Sequence, residues 1–268
     1  MTTLAEKGAA LLGGELRKSQ SLSGGCLNEI VRITLADGRE AVVKEGPSPK
    51  AEAAMLMAIA ASGAPAPAVL AVSGEALVLE VVPTGGSLHS AWRSLGEAAA
   101  TLHSARGGSY GWPENYAFGH AAIVNEWSDR WPAFWAERRL LPSCGHIAPA
   151  LARRIEALAA DLPDRLPAEP PPALLHGDLW NGNVLVASNR VSALIDPACY
   201  YGHAEVDLAM LNLFGSPSAV FYEAYGALEP GHEERLVIYQ LWPALVHLRL
   251  FGESYRPLVQ RLLASVGV

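Results

Sequence analysis

Apolar and polar positions alternate by two through I-V-R-I-T-L (30–35) and E-A-V-V-K (40–44), with Asp37-Gly38 between them as a strong hairpin signal. Residues 16–46 therefore predict three strands. The pattern then turns helical over Pro49–Ala61, a run rich in Ala, Met and Leu that stops near Gly63 and Pro65. Two further strands are predicted at Val69–Val72 and Ala76–Val82, and Gly85-Gly86 breaks the pattern. From Ser87 the period is that of helices. Leu88, Ala91, Leu95, Ala98 and Leu102 share one face of a predicted helix over Ser87–Ser104. Ala105–His120 is rich in glycine and aromatics and is read as a loop; Glu126–Leu141 and Ala148–Ala160 are read as helices. Leu162–Pro172 carries five prolines and is expected to be an exposed connection. A short β insert follows, and then helices near Ala204–Phe214, Ser218–Gly226, Glu233–Phe251 and Tyr255–Ser265.

The expected fold is α+β with two lobes: a five-stranded antiparallel N-lobe sheet with one helix, over residues 1–82, and a mainly helical C-lobe over 87–268, joined by a hinge at 83–86. Half of the residues are hydrophobic, ample for a core. A net charge of −7 argues against a nucleic-acid binder, which would show a basic face. The longest apolar run, Ala53–Ala61, is too short to span a bilayer, and no signal peptide is visible. Cys26, Cys144 and Cys199 form neither a disulfide framework nor a zinc pattern, which fits a reducing cytoplasm.

The stretch from Leu174 to Met210 carries the chemistry. In H-G-D-L-W-N-G-N, Asp178 is followed five residues later by Asn183, then an apolar run, then Asp196. A kinase needs this arrangement to present one hydroxyl to a metal-bound triphosphate. Asp178 is the candidate base, oriented to take the proton of the attacking hydroxyl. Asn183 offers a neutral oxygen and Asp196 a charged one, a pair that suits Mg²⁺. Asp196 precedes Pro197, which disfavours the α region and predicts an extended backbone there. Pro197-Ala198 lacks the glycine of a switching motif, so a preformed site is expected. Lys44, ending A-V-V-K, is the candidate phosphate ligand, with Glu52 as its carboxylate partner. Gly24 and Gly25 open backbone N–H groups to phosphate oxygens, and Glu80 to Val82 fits the segment that passes the adenine. Cys26, next to those glycines, is either a small filler or a reactive thiol that ATP protects. Glu205 and Asp207 begin a helix, where acids favour the dipole; a supporting role for Asp207 in the site is an equal alternative.

Three segments, H-G-D-L-W-N-G-N, I-D-P-A-C-Y-Y-G-H-A-E-V-D-L-A and N-E-W-S-D-R-W-P-A-F-W, resemble the fructosamine-3-kinase (ketosamine-3-kinase) family, within the wider aminoglycoside phosphotransferase and choline kinase fold. The resemblance continues to Y-Q-L-W and F-G-E-S-Y-R and covers nearly the whole chain. It implies ATP- and Mg²⁺-dependent phosphorylation of the 3-hydroxyl of a ketosamine, either free or on a glycated protein lysine. The 3-phosphate is then expected to leave by elimination and free the amine. The resemblance places Asn125, Glu126 and Trp127, together with Trp180, on the acceptor side, where indole and carboxylate suit a cationic sugar amine. Spacing by four makes Trp127, Trp131 and Trp135 equally readable as packing residues. A cytoplasmic monomer or weak dimer is expected. A kinase of another metabolite or of an aminoglycoside, or a kinase-like binding module without catalysis, are the competing readings.

Overall fold

The computed structural model describes residues 2–22 and 29–268. Strands β1 (Leu16–Ser21), β2 (Ile30–Leu35), β3 (Glu40–Glu45), β4 (Val69–Val72) and β5 (Ala76–Leu79) form one antiparallel sheet in the order β1-β2-β3-β5-β4. Pairing of Ile30 with Lys44 and of Thr34 with Glu40 fixes the β2–β3 register around the Asp37-Gly38 turn.

The period of two decides what each face of this sheet does. Val31, Ile33, Val43 and Val78 point to one face, where they pack with Leu4, Ala5 and Ala9 of helix α1 (Leu4–Leu11). Val42, Leu77 and Leu79 point to the other, against Ala53 and Leu56 of helix α2 (Pro49–Ala61). Lys44 is in phase with Val42, so it faces away from α1.

Helix α1 falls outside the elements predicted from the pattern. It is only eight residues long and holds Gly8 at its middle, which weakens the helical signal. Its mark in the sequence is a capping box: the Thr3 side chain accepts the Glu6 N–H at 3.2 Å, and the Glu6 carboxylate accepts the Thr3 N–H at 2.7 Å.

The rest of the chain is mainly helical. Helix α3 (Trp92–Ser104) packs on α7 (Ala219–Tyr225), and α6 (Glu205–Leu213) packs on α8 (His232–Phe251). Helix α9 (Arg256–Ser265) closes the chain against α8. Strand β6 (Tyr116–Phe118) lies inside the region read as a loop and forms a hairpin with β7 (Ala121–Ile123), just beyond it. Residues 124–130 carry no helix; the predicted helix begins only at α4 (Trp131–Trp135), then widens and tightens irregularly through His146. Trp131 and Trp135 are fully buried, so packing explains their spacing; truncating either to Ala is worth about 3–5 kcal/mol. Helix α5 (Pro149–Arg165) runs past its expected end with Pro163 in its final turn. Its end is held by Arg165, which bonds Asp161 and Glu234 at 2.8 and 3.0 Å. The proline-rich segment beyond is pinned rather than free: Tyr110 donates to the Pro170 carbonyl at 2.7 Å.

Candidate active site

Strand β8 (Ala173–Leu175) leads into His176-Gly177-Asp178, and the hairpin of β9 (Val184–Ala187) and β10 (Arg190–Leu194) returns the chain to Asp196. Strand β11 (Tyr200–Gly202) then pairs with β8. Two backbone bonds tie the two approaches together: Ile195 N–H donates to Asn183 at 3.0 Å, and Ala198 N–H to His176 at 2.8 Å. Asp178, Asn183 and Asp196, thus brought side by side, line one cleft of about 1340 Å³ with Lys44, Glu80 and Val82.

Gly177 has φ +80°, and a Cβ there would sit 2.0 Å from the Ala198 oxygen, so only glycine fits. Asp207 fixes this turn from below. It is fully buried and accepts the His176 and Gly177 N–H groups at 2.7 and 2.9 Å, while His103 Nε2 lies 3.0 Å from the same carboxylate. Nδ1 of His103 in turn lies 2.9 Å from the Tyr225 hydroxyl. The alternative left open for Asp207 is thereby resolved towards support of the site. Its neighbour Glu205 instead forms a buried two-pronged pair with Arg235 at 2.7 and 2.6 Å. His103 and Tyr225 carry no local motif that marks them.

Asn183 Nδ2 donates to the Asp178 carboxylate and carbonyl, each at 2.9 Å. Burial pushes the Asp178 carboxyl up to about 7; the Asn183 amide opposes this, and the charges of Asp196 and Asp207 add to it. His176 is buried and held neutral, its Nε2 3.0 Å from the Ile195 carbonyl, which makes it a part of the framework.

Lys44 Nζ lies 2.8 Å from Glu52 and 2.5 Å from Asp196. Burial works against its ammonium, but the charges of Glu52 and Asp196 outweigh it and raise the Lys44 pKa above its ordinary value. Asp196 has φ +56°, so the extended backbone expected before Pro197 is not what forms. Proline disfavours the right-handed helical region for its predecessor, and an aspartate tolerates the left-handed one, which turns the carboxylate towards Lys44.

The donor set fits Mg²⁺. Asn183 Oδ1 has no hydrogen-bond partner among the described residues, and Asp196 adds a hard anionic oxygen. Among those residues no group of three or more His, Cys, Asp or Glu forms a metal cage.

Glu80 spends its N–H on the Ala68 carbonyl at 3.0 Å, and its carboxylate accepts the Ala68 N–H at 2.8 Å. The side chain therefore braces β4 against β5, a role beyond the backbone reading. Trp180 lines the cleft and is 38% exposed; a Cβ at Gly182 would lie 2.4 Å from its ring, so the glycine lets the indole lie across the loop.

Asn125, Glu126 and Trp127 are not among the residues lining the cleft. Asn125 is buried: its Oδ1 accepts from Arg139 at 2.8 Å and its Nδ2 donates to the Glu114 carbonyl. Glu126 pairs with Arg138 at 3.1 Å, and Trp127 stacks on Tyr201 with ring centres 6.4 Å apart. In their stead Tyr116 and Phe118 of the unpredicted β6 hairpin line the cleft. Burial raises the Tyr116 phenol, as do the charges of Glu52, Asp196 and Asp178, so it stays a neutral donor. Gly24, Gly25 and Cys26 lie outside the described residues.

Residues 4–266 match the family model of fructosamine kinase. The chain belongs to the fructosamine kinase family. It is 36% identical to a "probable ketoamine kinase" of Synechocystis over 92% of this chain and 90% of that one. It is also 40% identical to the ketosamine-3-kinase of Mus musculus over 52% and 47% of the two chains. A crystal structure of a Thermobifida fusca protein assigned as a fructosamine-3-kinase superposes with a TM-score of 0.90 at 32% identity and covers 99% of both chains. The two-lobed, protein-kinase-like reading of a fructosamine kinase thus holds for this fold.

Proposed function

We propose that this fructosamine kinase transfers the γ-phosphoryl group of ATP to the 3-hydroxyl of a ketosamine, whether a fructosamine, ribulosamine or erythrulosamine, free or on a protein lysine. The observation that carries the reading is the convergence of Lys44, Asp178, Asn183 and Asp196 on one cleft. The nucleotide half of the cleft is the sheet, residues 1–82; residues 83–86 are the hinge, and residues 87–268 supply the rest. No helix or strand covers 80–87, and Glu80, Val81 and Val82 line the cleft. In this reading the Glu80 carbonyl and the Val82 N–H meet the adenine edge.

Lys44 bridges the α- and β-phosphates while Glu52 holds its ammonium in place. Asn183 Oδ1 and Asp196 would hold Mg²⁺, which when bound neutralises charge on the phosphates. Asp178 orients the acceptor hydroxyl and takes its proton as the oxygen–phosphorus bond forms and the bond to the β-phosphate oxygen breaks. Trp180 offers an indole face to the sugar amine. The enzyme works in the cytoplasm as a monomer or weak dimer. Among the described residues no helix is long and apolar enough to cross a membrane.

The test is mass spectrometry of a ribosylated lysine peptide incubated with the enzyme and Mg·ATP. The expected result is a gain of one phosphate followed by return of the unmodified lysine. Phosphorylation of an aminoglycoside, with the ketosamine peptide untouched, would replace this reading.

A further inference from the structure

The cleft that holds Asp178 and Trp180 is also lined by an aromatic wall, built where α6 ends and where α8 gives way to the turn before α9. Phe214 and His247 lie with ring centres 4.7 Å apart, His247 and Tyr255 5.0 Å, His247 and Phe251 5.4 Å, and Phe251 and Tyr255 5.9 Å. All four line the same cleft as the candidate base. Phe251 is 49% exposed, a large apolar ring left open on the wall of the cleft. The imidazole joins this wall as a neutral ring: its Nδ1 lies 2.8 Å from the Pro243 carbonyl, and burial lowers its pKa.

The charges lining the cleft are distributed one-sidedly. Among the described residues, its Lys and Arg side chains are Lys44 and Arg32, both on the sheet. Lys44 is held by Glu52 and Asp196, and Arg32 by Glu40 at 2.7 Å. A carboxylate placed against the aromatic wall would lose water and meet no Lys or Arg among the described residues that line the cleft on that side, and it would share the cleft with Asp178, Asp196 and Glu80. An apolar or aromatic group would gain ring contacts at no such cost.

We propose that Phe214, His247, Phe251 and Tyr255 form the subsite for the substituent on the ketosamine nitrogen, and that it selects aromatic or extended apolar substituents over those carrying a carboxylate next to the nitrogen. The inference rests on the ketosamine reading above. It places protein lysines, whose nitrogen ends an alkyl stem, ahead of free amino acids glycated at the α-nitrogen.

The test compares two ribulosamines that share one sugar, made from benzylamine and from glycine. Wild-type enzyme is expected to show a KM about tenfold lower for the benzyl compound, with similar kcat. Phe251→Ala, a change at an exposed position, should raise the benzyl KM about fivefold and leave the glycine compound and the KM for ATP unchanged. Phe251→Arg should lower the KM of the glycine compound several-fold, a gain that misfolding cannot produce. Equal KM values in wild type, or equal effects of Phe251→Ala on both compounds, would overturn the subsite while leaving the ketosamine reading intact. Turnover of neither compound would overturn that reading and the subsite with it.

Discussion

Asp207 accepts the backbone N–H of Gly177 at 2.9 Å, across an interval of 30 residues, and so anchors the turn that carries Asp178 to the start of α6. The same carboxylate takes the His176 N–H at 2.7 Å. Two charge-assisted bonds to a buried turn fix the direction in which Asp178 points. Asp207→Asn presents one amide donor to two backbone donors, and it is expected to cost about 2–4 kcal/mol of stability. kcat should fall roughly a hundredfold, since misplacing a reacting group by an ångström is enough for that. KM for ATP should move little, because among the described residues the Asp207 carboxylate bonds His103, His176 and Gly177, none of them in the nucleotide half. Thermal unfolding together with steady-state kinetics checks the split between kcat and KM.

Gly177→Ala tests the same turn from the other side. The residue sits at φ +80°, and its new Cβ would meet the Ala198 oxygen at 2.0 Å. Left-handed backbone alone costs about 1 kcal/mol, and the clash adds to it. The expected outcome is a Tm drop of about 5 °C or more with activity lost. An unchanged melting curve would show that Ala198 yields freely and that the turn is not rigid.

The sheet and the long helices were legible because their patterns are periodic. Val31, Ile33 and Leu35 announce a strand, and Leu95, Ala98 and Leu102 a helix. The Asp178–Asn183–Asp196 constellation was legible because it is local, spread over 19 positions of one segment. What escaped was either short or assembled from afar. Tyr116 and Phe118 lie in a three-residue strand with too little pattern to detect. His103 and Tyr225 meet Asp207 only through the packing of α3 on α7. Asn125 was attached to the acceptor by resemblance, yet its partner Arg139 was invisible until the fold brought them together.

Arg139 is fully buried without a salt bridge to any described carboxylate. It is held by the Val124 carbonyl at 2.6 Å and by Asn125, with the Tyr200 ring centre 4.0 Å away. Asn125→Ala removes one of its acceptors and is expected to cost about 3 kcal/mol, since a buried charge is left short of a partner. Because Asn125 does not line the cleft, the acceptor KM of the folded enzyme should stay within about twofold of wild type, a limit set by the absence of direct contact. A large rise in acceptor KM at unchanged stability would instead return Asn125 to the acceptor site.

The pH dependence of the enzyme should be set by Asp178. Its carboxyl has an ordinary pKa of 3.8 and is pushed up to about 7 in the folded protein, chiefly by burial. Between these values the folded state holds a proton that the unfolded chain has released. The stability conferred by the neutral carboxyl is therefore complete below 3.8 and is lost as pH rises through about 7. The catalytic requirement is opposite in sign, since only the ionised form accepts the hydroxyl proton. kcat/KM, which reports on the free enzyme, should climb about tenfold per pH unit below about 7 and then level off. Asp178→Asn is neutral at every pH. It should abolish transfer, keep Mg·ATP binding, and melt higher than wild type at pH 8, with the difference shrinking towards pH 4. Melting curves of both proteins across that range, beside the wild-type pH–rate profile, measure the two effects separately. A variant that melts lower than wild type at pH 8, or a profile flat through pH 7, would remove the buried Asp178 carboxyl as the titrating group.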